Sequence, residues 1–294
     1  MFKFRRELLN DNKPLKSGNF GDVFPYQELS GGQEWVVKRV LAKNINNLHA
    51  PLQEVVLGFG CDHPCVLTMK GYFIDQIEDS KYFHIYMKIP RMEMNLLEDI
   101  KARRKAKNPY REKKIIRHFY SLVCGIGYLH SKRIYHGDIK PDNLLLDSQK
   151  SLKVADIGIA RHFEEDESLQ TLSKKRGVYN YLAPEIFADN VKNDSLPKAD
   201  VWSIGVVILE LCVADFRILN GSAPRDEIQT KINGYFQTLE TKYPSSLLCL
   251  LKRLLSLDPK ERPEIEEIKS ELEKNYSQIL VNISRINDDL FPLS

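Results

Sequence analysis

The stretch Ile134-Tyr135-His136-Gly137-Asp138-Ile139-Lys140-Pro141-Asp142-Asn143-Leu144-Leu145-Leu146 constrains this chain more than any other. It packs Asp138, Asp142, Asn143 and the cation Lys140 into one turn between apolar runs. Burying such groups is costly unless they hold ions and substrate. Eighteen residues after Asp138, the run Val154-Ala155-Asp156-Ile157-Gly158 sets a lone carboxylate behind an apolar strand and ahead of a glycine. Asp156 and Asn143 together offer the hard oxygen ligands that Mg²⁺ prefers when phosphates complete its shell. Either segment alone could be a structural turn; their order and spacing point to a site.

The texture of the chain changes near residue 95. From Leu15 to Val40 it reads as strand, Gly-bearing turn, strand, a hairpin at Ser30-Gly31-Gly32 and a further strand from Glu34 to Val40. Beyond it, Ile115, Ile116, Phe119, Leu122, Val123, Ile126 and Leu129 recur at three- and four-residue steps and predict one buried helical face. A second helix is expected from Asp200 through Leu211, and a third after Pro263 carrying Ile265, Ile268 and Leu272. With 294 residues, 43% of them hydrophobic, the chain can bury a large core, which excludes a disordered or fibrous protein. There is no internal repeat and no low-complexity linker, so two lobes in contact are expected rather than two tethered domains.

The longest apolar run, Val201 to Val213, is interrupted by Ser203 and Glu210 and falls short of the roughly 18 apolar residues of a membrane span. No transmembrane segment is expected. Met1 to Glu7 lacks an apolar signal core, and Phe2 excludes the myristoylation pattern. Cys61, Cys65, Cys124, Cys212 and Cys249 form an odd, scattered set that suits a reducing compartment. An intracellular, cytoplasmic location is the expectation. Cys61-Asp62-His63-Pro64-Cys65 has no second ligand pair at finger spacing and reads as a turn before a strand rather than a zinc site.

In the strand-rich half, Ser17-Gly18-Asn19-Phe20-Gly21-Asp22-Val23 lies between two strands, where missing side chains let backbone N–H groups approach phosphate oxygens. A hairpin turn has the same composition, so this signal is weak alone. Lys38 projects from an apolar strand and needs a partner or an anionic ligand. Glu54, in the helical stretch Leu52 to Leu57, could supply the carboxylate.

Taken in order, these segments resemble eukaryotic protein kinases of the Ser/Thr type over nearly the whole chain. The match runs through the Gly-rich loop, Lys38 in Trp35-Val36-Val37-Lys38, Glu54, His136-Gly137-Asp138, Asp156-Ile157-Gly158 and Ala183-Pro184-Glu185. It continues through Asp200-Val201-Trp202-Ser203-Ile204-Gly205 to Arg262, which in this family pairs with the glutamate matched by Glu185. The resemblance implies an α+β bilobal fold, with a small β-rich N-lobe at residues 1–91, a helical C-lobe at 92–275 and a C-terminal tail at 276–294. It implies ATP and Mg²⁺ as cofactors, with Mn²⁺ as an alternative, and transfer of the γ-phosphoryl group to protein substrates. By the same resemblance Lys38, oriented by Glu54, holds the α- and β-phosphates. Asp138 orients the incoming hydroxyl and accepts its proton, Lys140 steadies the γ-phosphate, and Asn143 and Asp156 bind the metal. Gly18 and Gly21 approach the phosphates. Leu15, Val23 and Val36 form the roof over adenine, Leu145 the floor, Pro90-Arg91-Met92 the hinge, and Ile89 limits the back pocket.

Four positions depart from the pattern. Lys16 replaces the first glycine of the phosphate loop. Gly137 replaces the arginine that pairs with a phosphate on the activation segment, so activity is expected to depend little on phosphorylation of Ser168, Thr171 or Ser173. Val178 stands where a threonine hydroxyl bridges the catalytic aspartate and lysine; losing one such bond costs on the order of 1 kcal/mol, several-fold in rate. Gly58 stands four residues after Glu54, where a bulky residue joins the lobes. The expected filler is Phe59 or Leu57; the other reading is a mobile helix that needs a partner. Two functional alternatives remain open: a pseudokinase scaffold with little turnover, and a dual-specificity or Tyr kinase.

Asp142 and Glu210 match positions that can meet an arginine upstream of the phosphorylated residue, so a basic substrate is one expectation. Net charge is only +3, which excludes a global preference for nucleic acid, yet Lys101 to Arg117 holds nine basic residues against Glu112 alone. This patch is a candidate docking surface for an acidic partner or anionic lipid. The activation segment carries Glu164-Glu165-Asp166-Glu167 and Lys174-Lys175-Arg176, most simply read as solvated runs.

Overall fold

The computed structural model describes residues 13–18, 21–26, 34–44, 48–77, 80–157, 161–162, 179–187 and 195–290. The hairpin at Ser30-Gly31-Gly32, the residues Gly158, Ser168, Thr171, Ser173 and Val178, and the two charge runs between 164 and 176 lie outside them.

The first strands are β1 (Lys16–Gly18), β2 (Gly21–Tyr26) and β3 (Trp35–Ala42), followed by helix α1 (His49–Gly60), β4 (Gly71–Gln76) and β5 (Phe83–Pro90). They form one antiparallel sheet in the order β1-β2-β3-β5-β4. Alternation along each strand divides the side chains between two faces. Ala42, Ile85 and Met87 pack with Leu48 and Val55 on one side, while Val37, Tyr26 and Tyr86 pack on the other. On that second side, buried Lys88 is held over the rings of Trp35 and Tyr26, 4.4 and 5.1 Å from their centroids. The ring faces attract the cation and help to hold it there.

The helical half begins with β6 (Met94–Asn95) and α2 (Leu96–Lys105). Asn95 caps α2 by a reciprocal pair of bonds with Glu98, at 2.8 and 2.9 Å. Next come α3 (Glu112–Ser131), β7 (Ile134–Tyr135), β8 (Leu144–Leu146), β9 (Leu152–Val154) and β10 (Arg161–His162). The periodic stripe of α3 is buried in full, from Ile115 to Leu129. α4 (Leu196–Val213) is buried almost all round, and α5 (Arg225–Leu239), α6 (Ser245–Leu254) and α7 (Ile265–Leu290) complete the bundle. The sheet-bearing first half and helical second half constitute the α+β bilobal arrangement. α7 runs across the expected start of the tail at 276, with non-helical backbone at Tyr276. Among the described residues, no helix is long and apolar enough to cross a membrane.

The turn at Pro64 and Cys65 carries the chain from α1 to the cleft. Val154 donates to the Cys65 carbonyl and Leu67 to the Val154 carbonyl, both at 2.8 Å. Burial pushes the Cys65 thiol up to about 11, and the His63 ring stacks on Tyr128. Arg262 forks onto Glu185 at 2.5 and 2.8 Å, the pairing that the resemblance implies. The guanidinium is fully buried and lies 5.1 Å from the Trp202 ring centroid. A bidentate ion pair of this kind fixes geometry as well as charge.

Candidate active site

Gly18 at the end of β1 pairs with Gly21 at the start of β2. Gly21 has φ +113, and a Cβ there would sit 2.2 Å from the Arg39 carbonyl oxygen. Only glycine meets both conditions. Lys38 pairs in register with Val23 on β2 and with Met87 on β5, so its side chain shares the α1 side of the sheet. Its Nζ lies 2.6 Å from Glu54 Oε1 and 3.9 Å from Asp156 Oδ1. All three side chains are largely withdrawn from solvent, which strengthens the pairing relative to a surface ion pair.

The loop after β7 is fixed from below by Asp200 of α4. The backbone N–H of His136 donates to Asp200 Oδ2 at 3.0 Å and that of Gly137 to Oδ1 at 3.1 Å. His130 Nε2 reaches the same carboxylate at 2.9 Å. His136 Nδ1 accepts the Asp138 N–H at 3.2 Å, which leaves Nε2 to carry the proton and donate to the Ala155 carbonyl at 3.2 Å. One ring therefore ties the loop to the segment that leads from β9 to Asp156. Lys140 Nζ donates to both Asp138 oxygens at 2.8 and 2.7 Å, and Asn143 Nδ2 donates to Oδ2 at 2.9 Å. Ala155 N–H donates to the Asn143 carbonyl at 2.9 Å, bringing Asn143 and Asp156 together. Asp156 adopts φ 59, a left-handed conformation that aspartate tolerates better than most residues.

A cleft of about 410 Å³ lies between these elements. Of the residues expected at the site, Val23, Lys38, Glu54, Ile89, Asn143, Leu145 and Asp156 line it. Asp138 and Lys140 stand beside it through Asn143, and Pro90 ends β5 with Met92 just beyond. Val36 is buried on the same side of the sheet as Lys38, whereas Leu15 is half exposed. The cleft also takes in Lys16, Leu67, Met69, Met87 and Asn95, which the motifs do not mark. Met87 could have been found, because it lies two residues before Ile89 on one strand and therefore on the same face. Lys16 Nζ reaches Glu98 Oε1 at 2.7 Å, so the residue that replaces the first loop glycine connects β1 to α2 at the edge of the cleft.

Two expectations are corrected here. Neither Phe59 nor Leu57 occupies the space beside Gly58. Phe59 is half exposed and meets Tyr72 edge-on, and Leu57 packs into the helical core. The Met69 side chain takes the space instead: a Cβ on Gly58 would lie 3.2 Å from its Cε. Glu210 is not available to a substrate arginine. It is fully buried and accepts the Tyr181 hydroxyl and the backbone N–H groups of Arg217 and Ile218. Burial raises its carboxyl to about 8 despite those bonds.

The basic patch is also thinner than its sequence. Arg103 is bound to Asp99 at 2.9 Å and stacks over Tyr110, and Arg104 is bound to Asp215 at 2.6 Å. Arg104 stays exposed beside its partner, and Lys101, Lys105, Lys107, Arg111 and Lys113 are exposed as well.

The family model for the protein kinase domain matches residues 9–272. Among curated relatives, CBL-interacting protein kinase 26 of Oryza sativa subsp. japonica is 29% identical over 90% of this chain and 52% of its own length. CBL-interacting serine/threonine-protein kinase 8 of Arabidopsis thaliana is 32% identical over 60% of this chain and 39% of its own length. Aurora/IPL1-related protein kinase 2 of Caenorhabditis elegans is 28% identical over 91% of this chain and 83% of its own length. The chain thus spans about half or less of the CBL-interacting relatives it matches. Ordered motifs, cleft geometry and a family match over most of the sequence agree: the chain belongs to the protein kinase family.

Proposed function

We propose that the chain is an ATP-dependent protein serine/threonine kinase. The observation that carries this reading is the Asp138 carboxylate, held by Lys140 and Asn143 next to Asp156, with Lys38 already paired to Glu54. Positioning and charge stabilisation are what phosphoryl transfer chiefly asks of a protein. Asp138 orients the substrate hydroxyl and takes its proton, while Lys140, within reach of both Asp138 oxygens, counters charge on the transferred group. Lys38 is aimed by Glu54 at the phosphates, and the Gly-rich turn covers them. The apolar walls from Val23, Ile89 and Leu145 suit a purine ring. The Asn143 amide nitrogen is committed to Asp138, which leaves its oxygen, with the Asp156 carboxylate, as hard donors suited to Mg²⁺ or Mn²⁺. A bound divalent ion would neutralise the phosphates. The Ser/Thr assignment is supported by Lys140 two residues after Asp138 and by the similarity to a serine/threonine-protein kinase of Arabidopsis thaliana.

Activity is proposed to depend little on phosphorylation of the activation segment. At Gly137, φ is +73 and an added Cβ would meet the buried Tyr135 ring at 2.8 Å. An arginine side chain has no room to start from this backbone, and the loop is held by Asp200 without a phosphate. Protein substrates follow from the family, and the exposed cations between Lys101 and Lys113 favour an anionic partner. Five unpaired cysteines support an intracellular, cytoplasmic setting.

The test is incubation of purified protein with labelled ATP, Mg²⁺ and a generic substrate beside Asp138→Asn, followed by phosphoamino-acid analysis. Label on serine or threonine, lost in the variant and retained after phosphatase treatment of the enzyme, is expected. Equal incorporation by both proteins would refute the enzyme reading, label on tyrosine alone the specificity, and loss after phosphatase the independence from phosphorylation.

A further inference from the structure

The carboxylates around α2 are already engaged. Glu98 holds Lys16 at 2.7 Å, Asp99 holds Arg103 at 2.9 Å and accepts the Tyr110 hydroxyl, and Asp215 holds Arg104 at 2.6 Å. Glu210 is enclosed by Tyr181 and the backbone of Arg217 and Ile218. Two exposed cations are left over, Lys101 on α2 and Arg217 on the loop after α4, and neither has an ion-pair partner among the described residues. They meet at one ring. Lys101 Nζ lies 5.5 Å and Arg104 Cζ 5.7 Å from the Phe216 centroid, and Phe216 immediately precedes Arg217. Asp215 Oδ1, which binds Arg104, also accepts the Phe216 N–H at 2.8 Å, so helix and loop are fastened together. The cluster stands beside the catalytic turn. α2 packs on Pro141–Asn143, and its cap Asn95 lines the cleft. Lys101 follows Asn95 by six residues, a helical rise of about 9 Å. On its other side the loop is tied to the segment that leads into Ala183-Pro184-Glu185: Gly221 N–H donates to the Tyr179 carbonyl at 3.0 Å, and Asn180 Nδ2 to the Leu219 carbonyl at 2.7 Å.

We propose that Lys101, Arg104 and Arg217, set around Phe216, form a recognition site for carboxylates of the protein substrate, so that the enzyme selects serine or threonine within an acidic sequence. This rests on the kinase reading proposed above and names its substrate class. It reverses the basic preference expected from Asp142 and Glu210, because Glu210 is enclosed and Asp142 is outnumbered by the three cations. Complementary charge at the edge of a binding surface chiefly sets which partner is chosen and how fast it arrives. An extended peptide advances about 3.3 Å per residue, so a carboxylate roughly three residues from the hydroxyl at Asp138 comes within range of the site.

The experiment uses serine peptides of one length whose residues on both sides of the acceptor are Glu, Gln or Lys, and compares wild type with Lys101→Glu/Arg217→Glu in kcat, KM for peptide and thermal unfolding. Wild type should show a KM roughly 10-fold lower for the Glu peptide than for the Gln peptide at low salt, with kcat within about twofold, and the gap should narrow as ionic strength rises. The double variant should lose that preference and favour the Lys peptide. Because peptides are ranked within one protein, a general loss of activity cannot imitate this result. Should the variant not fold, Lys101→Gln with Arg217→Gln carries the same comparison, its Glu-to-Gln ratio falling to about one. Equal KM for the Glu and Gln peptides in wild type would overturn the inference, as would a ratio that the folded variants leave unchanged. Wild type without phosphoryl transfer to any of these peptides or to a generic substrate would refute the kinase reading instead; the site would then be judged on binding of fluorescently labelled Glu and Gln peptides by anisotropy, with the same ranking expected.

Discussion

Replacing Asp200 by asparagine should loosen the catalytic loop while leaving the protein folded. The Asp200 carboxylate accepts two backbone N–H groups, from His136 and Gly137, one on each oxygen, and is 1% exposed. Asparagine has the same shape but a single oxygen, so in either orientation its amide nitrogen faces one of those donors. A buried donor left unpaired costs about 1–3 kcal/mol, and the bond that survives loses its charge assistance, about 1 kcal/mol more. The total is about 3 kcal/mol. Against a stability of roughly 5–15 kcal/mol for a folded domain, this leaves the variant native at room temperature. At roughly 2 °C per kcal/mol for a protein of this size, Tm should fall by roughly 6 °C. Amide hydrogen exchange gives the residue-specific assay: the His136 and Gly137 amides should exchange much faster in the variant, and those of α6 should not. Since the same loop carries Asp138, the proposed base, kcat should drop by roughly 10- to 100-fold through its misplacement. Unchanged exchange at His136 and Gly137, with Tm within about 1 °C of wild type, would refute the clamp.

Glu210 predicts a pH effect of definite sign. Its carboxyl is raised by burial from 4.5 to about 8 in the folded protein, so the folded state holds this proton more tightly than the unfolded one. The resulting stabilisation is full below the unfolded value and is lost as pH rises towards about 8. Glu210→Gln cannot ionise, so wild-type stability measured against this variant by denaturant unfolding should decline across that window; a flat difference would count against the assignment. At the surface, changing Lys105, Lys107 and Lys113 to alanine should weaken binding to vesicles of anionic phospholipid or to a poly-glutamate peptide, by roughly 100-fold if each cation contributes about 1 kcal/mol. Turnover on a short peptide should stay the same. Binding that is unaffected on both surfaces would remove the patch as a docking site.

Most of the residues around Asp138 were legible because their chemistry is carried by type and spacing within short segments. Lys38 and Glu54 were readable too, as a cation and a carboxylate on apolar elements that each needed a partner. The α3 stripe was readable because its large apolar residues recur at three- and four-residue steps, although the helix is buried nearly all round, His118 and Ser121 included. α4 offered less: it is buried almost all round, so its sequence shows length and not direction. Glu210 was misread for a related reason, since a carboxylate within an apolar run could face either a ligand or backbone donors of the following turn. Only the fold shows that Arg217 and Ile218 return to it. Met69 was missed because its partner space belongs to a residue eleven positions earlier, and a glycine records that a side chain is absent without recording what replaces it. The arginines at 103 and 104 were counted as free charge; Asp99 is one helical turn from Arg103, but Asp215 is remote in sequence from Arg104 and comes near only in the folded protein.

The ion pair between Lys16 and Glu98 bears on the medium as well as on the molecule. Both side chains are substantially exposed, unlike Lys38 and Glu54 inside the cleft. Dissolved ions compete with an exposed pair far more than with a sheltered one. Ionic strength therefore acts on the rim, easing β1 away from α2 as salt rises, while the phosphate-facing lysine keeps its carboxylate. On the kinase reading proposed above, passage of nucleotide in and out would respond to the electrolyte around the protein, and the chemical step would be insulated from it.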